Sequence, residues 1–129
     1  MKNIFKAGDT KTFIRKVGEA DVARFDDGMV HPVYATFSLA RDAEWCGRLF
    51  VLDMKEPHEE GIGTLITVEH IAPARLGEEV ALTATIKSIN KNEIICVFDA
   101  RVGSRLIAKG EQRQKILSKE KLEHIFAAL

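Results

Sequence analysis

The sequence predicts an α+β fold in which one long helix is wrapped by an antiparallel β-sheet. Two observations carry that expectation. From Pro32 to about Met54 runs a segment rich in Ala, Leu and Phe, with one glycine and no further proline, too long for a strand. After Gly61 the apolar residues alternate instead, and β-branched side chains dominate the rest of the chain.

The elements follow in order. Lys11 to Val17 reads as a first strand after the Gly8-Asp9 turn. Glu19 to Phe25 suggests a short helical turn, followed by the loop Asp26-Asp27-Gly28. Pro32 is suited to open the central helix, because its fixed φ matches the first helical position. A loop is expected over Lys55 to Gly61, then strands over Thr64 to Ile71, Val80 to Ile86 and Ile94 to Val102. Gly103-Ser104 makes a two-residue hairpin into Arg105 to Leu117. Ser118 then caps a last helix whose Leu122, Ile125, Phe126 and Leu129 share one stripe. A strand, one apolar helix and then a meander require the sheet to cover the helix, since a helix apolar all round cannot face water. That order is the hotdog arrangement. Cone-shaped and lipocalin-like barrels fit worse, because neither places one long helix after the first strand only.

Composition narrows the function. A chain of 129 residues is about one domain, expected to span 1–129, and 46% apolar content allows a proper core. Lysine plus arginine equals aspartate plus glutamate, 19 against 19, so the basic excess of a nucleic-acid binder is missing. Cys46 and Cys96 lie in apolar stretches without metal-ligand spacing and read as buried, reduced thiols. No apolar run reaches the roughly 18 residues of a membrane span, and no signal region follows Met1 to Lys6. A cytoplasmic protein with no membrane or nucleic-acid partner, no metal and no cofactor is expected.

The stretch from Val33 to Gly77 carries the chemistry. It holds Val33-Tyr34-Ala35-Thr36, Ala43-Glu44-Trp45-Cys46, Gly61-Ile62-Gly63-Thr64 and Val68-Glu69-His70, closing with Ala72-Pro73 and Gly77. This ordered set resembles the fluoroacetyl-CoA thioesterase family of hotdog proteins. Members carry a Thr about two turns before a Glu-Trp pair on the central helix, then a Leu-Gly-Thr or similar turn, then a strand ending in Val-x-His. The resemblance implies hydrolysis of an acyl-CoA thioester, with Thr36, Glu44 and His70 at the catalytic positions and Gly63 where backbone approaches the substrate carbonyl. Two departures bear on the acyl group. The fluoroacetate-specific member has phenylalanines before the threonine, where this chain has Asp26-Asp27-Gly28-Met29-Val30. Its last strand carries Gly-Thr-His-x-Arg, where this chain has Gly110-Glu111-Gln112-Arg113-Gln114. Both argue against fluoroacetyl selectivity and leave thioester hydrolysis untouched.

The residues also argue for themselves. His70 shares strand parity with Thr64, Ile66 and Val68 and so faces the helix, either as a satisfied core residue or as a site residue. Glu44 sits among Ala40, Ala43 and Gly47, and either it is an exposed helix glutamate or it needs a partner, for which His70 is suited. Thr36 either opens the helix or offers a hydroxyl to position the reacting groups. Eight residues of helix span roughly 12 Å, so Thr36 and Glu44 of one regular helix cannot meet. Either Thr36 precedes the regular turns or the site is assembled across a dimer. The resemblance, in whose family hotdog helices pair across a continuous sheet, implies a site composed across a homodimer, or a dimer of dimers. Gly63 is a turn glycine or a site of close backbone approach. His31 and His58 read as solvated loop residues, and Lys87, Lys91, Arg101 and Arg113 either stay solvated or meet coenzyme A phosphates. Two other functions fit the same fold. A non-catalytic acyl-CoA-binding domain needs no turnover, and an enoyl-CoA hydratase needs an Asp-x-Asn-Pro-x-His run that is absent here.

Overall fold

A computed structural model describes residues 1–129. The strands are β1 (Thr10–Lys16), β2 (Val22–Phe25), β3 (Gly28–Tyr34), β4 (Glu59–Ile66), β5 (Glu69–His70), β6 (Glu79–Asn90), β7 (Glu93–Val102) and β8 (Arg105–Ser118). The helices are α1 (Thr36–Met54) and α2 (Lys119–Ala127). The main sheet runs β1-β6-β7-β8-β4, antiparallel throughout, with β5 pairing β8 as well. This is the hotdog fold that the element order predicts.

Helix α1 lies on that sheet because two periodicities meet. Leu39, Ala43, Cys46, Phe50 and Met54 are buried at steps of four and three along one helical stripe. Opposite them stand Val80, Leu82, Ala84 and Ile86 of β6 and Ile94, Cys96, Phe98 and Ala100 of β7, every second residue of each strand. On β8 the inward parity brings Gln112 and Gln114 into the interior beside Ile116.

The structure corrects four local expectations. Pro32 does not open the helix, for it lies within β3 and α1 begins at Thr36. The Tyr34 and Ala35 N–H groups donate to the Ala74 and Asp21 carbonyls, at 2.8 Å each, which holds the chain extended up to the helix. Only Glu19–Asp21 forms a helical turn, and Val22–Phe25 pairs with β3 as a separate two-stranded ribbon. The loop after α1 is shorter than expected, since β4 already begins at Glu59. Finally, Thr64 to Ile71 is not one strand: β4 ends at Ile66 after a register shift between Gly63 and Leu65, and β5 resumes at Glu69. The α2 stripe is largely open, with Leu122 buried and Ile125, Phe126 and Leu129 exposed.

Candidate active site

Thr36 is the first residue of α1 and is exposed. Its Oγ1 lies 2.9 Å from His70 Nδ1, so the helix start and β5 meet through this one contact. The other ring nitrogen, Nε2, is buried without a hydrogen-bond partner. Burial pushes the imidazole below its ordinary pKa, with the backbone at Ala72 pulling the other way. A neutral ring at pH 7 follows, able to accept at one nitrogen and donate at the other. Thr36, His70, Ile71, Ala72 and Pro73 line a concavity of about 310 Å³.

A larger concavity, about 410 Å³, opens where β4 gives way to β5, between Thr67–Glu69 and Val97, Phe98, Lys109 and Gly110. Its polar groups are already engaged. The Thr67 hydroxyl accepts from the Glu111 N–H at 2.9 Å, and Lys109 stands 3.9 Å from Glu69. The Thr36–His70 contact lies in the smaller hollow.

Glu44 is two turns further along α1 and exposed. It does not pair with His70 of its own chain, contrary to the expectation from charge burial; Thr36 takes that place. The carboxylate instead rests on Gly63 of β4, with its Oε1 where a Cβ at that position would stand. A side chain at Gly63 would exclude Glu44 from this position. The four predicted residues thus form two pairs, Thr36–His70 and Glu44–Gly63, separated by the roughly 12 Å of helix between positions 36 and 44. Strand β4 ends the sheet, so its outer edge is unpaired, and Leu65 and Ile66 near its end are exposed together with Trp45 and Leu52 of α1.

Sequence reasoning missed two polar groups at this helix. Asp42 is 1% exposed, bound by Arg15 at 3.0 and 3.1 Å and by Arg41 at 3.2 Å, and it also accepts from the Tyr34 hydroxyl. Desolvation pushes its carboxyl up, but Arg15, Arg41 and Tyr34 outweigh that and hold it below the ordinary carboxylate range. Gln112 and Gln114 form the second group, under Gly47. Their signal was a pair of amides at inward-facing positions of an otherwise apolar strand. His31 and His58 are exposed, as expected. Of the four cations, Lys87 and Arg113 both meet Glu111 (3.4 and 2.8 Å), Arg101 lies 3.6 Å from Asp99, and Lys91 occupies the β6–β7 turn with φ 57°.

One long helix laid on an antiparallel sheet in this order makes the chain a hotdog protein, and comparison with known proteins gives its family. A Thermus thermophilus thioesterase superfamily member is 33% identical, with TM-score 0.92 over 99% of this chain and 94% of that one. A point mutant of the fluoroacetyl-CoA-specific thioesterase is 22% identical, with TM-score 0.89 over 98% of each chain. A hot-dog-like protein from Thermanaerovibrio acidaminovorans is 20% identical, with TM-score 0.87 over 96% of this chain and 92% of that one. A search of curated proteins gives no significant match. The family model described as fluoroacetyl-CoA-specific thioesterase matches residues 17–120, and the chain belongs to that family.

Proposed function

We propose that this chain hydrolyses a small acyl-CoA thioester to the free acid and coenzyme A, as a cytoplasmic homodimer of one-domain subunits spanning 1–129. Each site takes Thr36 and His70 from one subunit and Glu44 and Gly63 from the other. The observation that carries this reading is the division of the polar set. Thr36 and His70 touch, while Glu44 lies two turns away against Gly63 beside an unpaired sheet edge. Pairing two β4 edges would satisfy their open backbone groups and bring the two α1 helices together.

The chemistry follows from what each group can do. A thiolate is a good leaving group, so the harder tasks are stabilising the oxyanion and activating the attacking oxygen. Glu44 supplies the carboxylate, as base toward water or as nucleophile toward the acyl carbon. His70, neutral near pH 7, moves or holds a proton, and Thr36 orients it through the 2.9 Å contact. Gly63 carries no side chain, so its backbone comes close to the Glu44 carboxylate and to the carbonyl which that carboxylate engages. A hollow near 310 Å³ at Thr36–His70 suits a short acyl group better than a long chain.

Release of free thiol from a panel of acyl-CoA thioesters tests the proposal. Glu44→Gln, nearly isosteric, should lower kcat about 100-fold or more with the fold intact. Binding of acyl-CoA without thiol release would make the chain a binding domain, and hydration of crotonyl-CoA would make it a hydratase.

A further inference from the structure

Gln112 is 1% exposed, yet its Nε2 has no hydrogen-bond partner. A buried amide left half-satisfied is destabilising, so such a group needs a reason. Its orientation is set from the other end. Gln114 Nε2 donates to the Gly47 carbonyl at 2.9 Å and lies 3.5 Å from Gln112 Oε1, which turns the Gln112 NH₂ away from Gln114. The amide occupies the space left by the missing side chain of Gly47: a Cβ there would collide first with Gln112 Oε1 and Cδ and would come within 2.9 Å of Nε2. Helix α1 and strand β8 therefore come close at the point where this amide sits.

That point adjoins Glu44. Positions 44 and 47 are one turn apart on α1, and such residues have Cβ positions about 5–6 Å apart. On the sheet side, Gly63 pairs with Gln114, whose next same-face neighbour on β8 is Gln112. Glu44 reaches down to Gly63 and Gln112 reaches up to Gly47, so a carboxylate and an amide flank one helical turn. The charges nearby are already committed: Arg48 and Lys55 to Glu60, and Arg41 to Asp21 and Asp42. Glu44 has no ion pair in the chain.

We propose that Gln112 is a positioning residue whose amide hydrogens hold the Glu44 carboxylate for reaction, directly after a rotamer change or through one water. The inference deepens the function proposed above and rests on Glu44 belonging to the reacting site. A water of 2–4 partners needs polar groups on more than one side, which Glu44 and Gln112 supply.

The test begins with the unmodified protein. With ¹⁵N labelling, the side-chain amide resonances of Gln112 are followed while pH is lowered through the carboxylate range. They should shift together with the ¹³C-labelled carboxyl of Glu44, and the shift should disappear in Glu44→Gln. Gln112→Leu and Gln112→Met remove the donor with little change of shape. Each should lower kcat about 10-fold at unchanged KM, the scale of one lost hydrogen bond at a transition state. In the Glu44→Gln background, Gln112→Leu should lower kcat no further. Amide resonances of Gln112 indifferent to Glu44 overturn the inference, and so does a full additive loss in the double variant. Resonances that follow Glu44 in a protein without thiol release would instead sink the hydrolase reading and leave the Gln112–Glu44 contact standing.

Discussion

Replacing Gly63 by alanine isolates the carboxylate's position from the stability of the fold. A Cβ at Gly63 would fall on Oε1 of Glu44, the far end of an exposed and flexible side chain. The backbone there lies in a strand, so alanine adopts it without strain and restricts the unfolded chain, a gain of about 0.4–1 kcal/mol. Swinging Glu44 aside offsets part of that gain, so the net change should stay within about 1 kcal/mol of zero. Activity should not be spared, because a reacting group displaced by about 1 Å costs on the order of 100-fold. Gly110→Ala is the contrasting control. Its Cβ would strike the Thr67 carbonyl oxygen and the Phe98 ring, 2.7 and 2.8 Å from two ring carbons. Neither can swing away, so the chain between β4 and β5 must shift, at a cost of about 1–3 kcal/mol. Urea unfolding gives the two stabilities, and thiol release gives kcat/KM. A folded Gly63→Ala protein with wild-type kcat/KM would refute the idea that Glu44 acts from its place over Gly63. A stability loss matching Gly110→Ala would refute its freedom to move.

The same geometry bears on four other measurements. Thr36→Ala should lower kcat about 10- to 100-fold by removing the contact to His70, while Thr36→Ser keeps the hydroxyl and most activity. His70 has a folded pKa below its unfolded one, so its contribution to stability is complete above the unfolded value near 6.5 and is lost as pH falls through both. Thermal unfolding of wild type against His70→Ala, compared from about pH 7.5 to about pH 5.5, roughly one unit either side of an ordinary imidazole, should therefore converge toward the acid end. Asp42→Asn removes a buried charge held by two arginines and a tyrosine, at about 1–3 kcal/mol because both arginines reach solvent, and an unchanged urea midpoint would show that the cluster is not coupled to folding. Light scattering should return twice 14.4 kDa at micromolar subunit concentration; a single-chain mass would remove the composite site.

How much of this was legible beforehand depends on how far each interaction reaches along the chain. The stripe of α1, the alternation of β6 and β7 and the Ser118 cap, which accepts from the Lys121 N–H at 3.1 Å, are local periodicities and contacts. They were readable from neighbouring residues alone, and with the element order they implied the hotdog fold. The start of α1 was not, because the carbonyls of Asp21 and Ala74 hold Tyr34 and Ala35 extended and override the preference of Pro32 for a helical start. The single strand expected over Thr64 to Ile71 is broken at Thr67–Val68, although His70 still faces α1 as its parity implied. Period-2 reasoning requires a continuous strand, and the break between β4 and β5 restarts it before His70. The sequence singled out Thr36, Glu44, Gly63 and His70, yet their partnership was decided by distance in space. Thr36 meets His70 across 34 positions, and Glu44 settles on Gly63. Residue types reveal which groups can donate, accept or carry charge. Which of them meet depends on how closely α1 approaches the sheet, and that approach is a tertiary property, set where Gly63 and Gly47 leave room for a carboxylate and an amide.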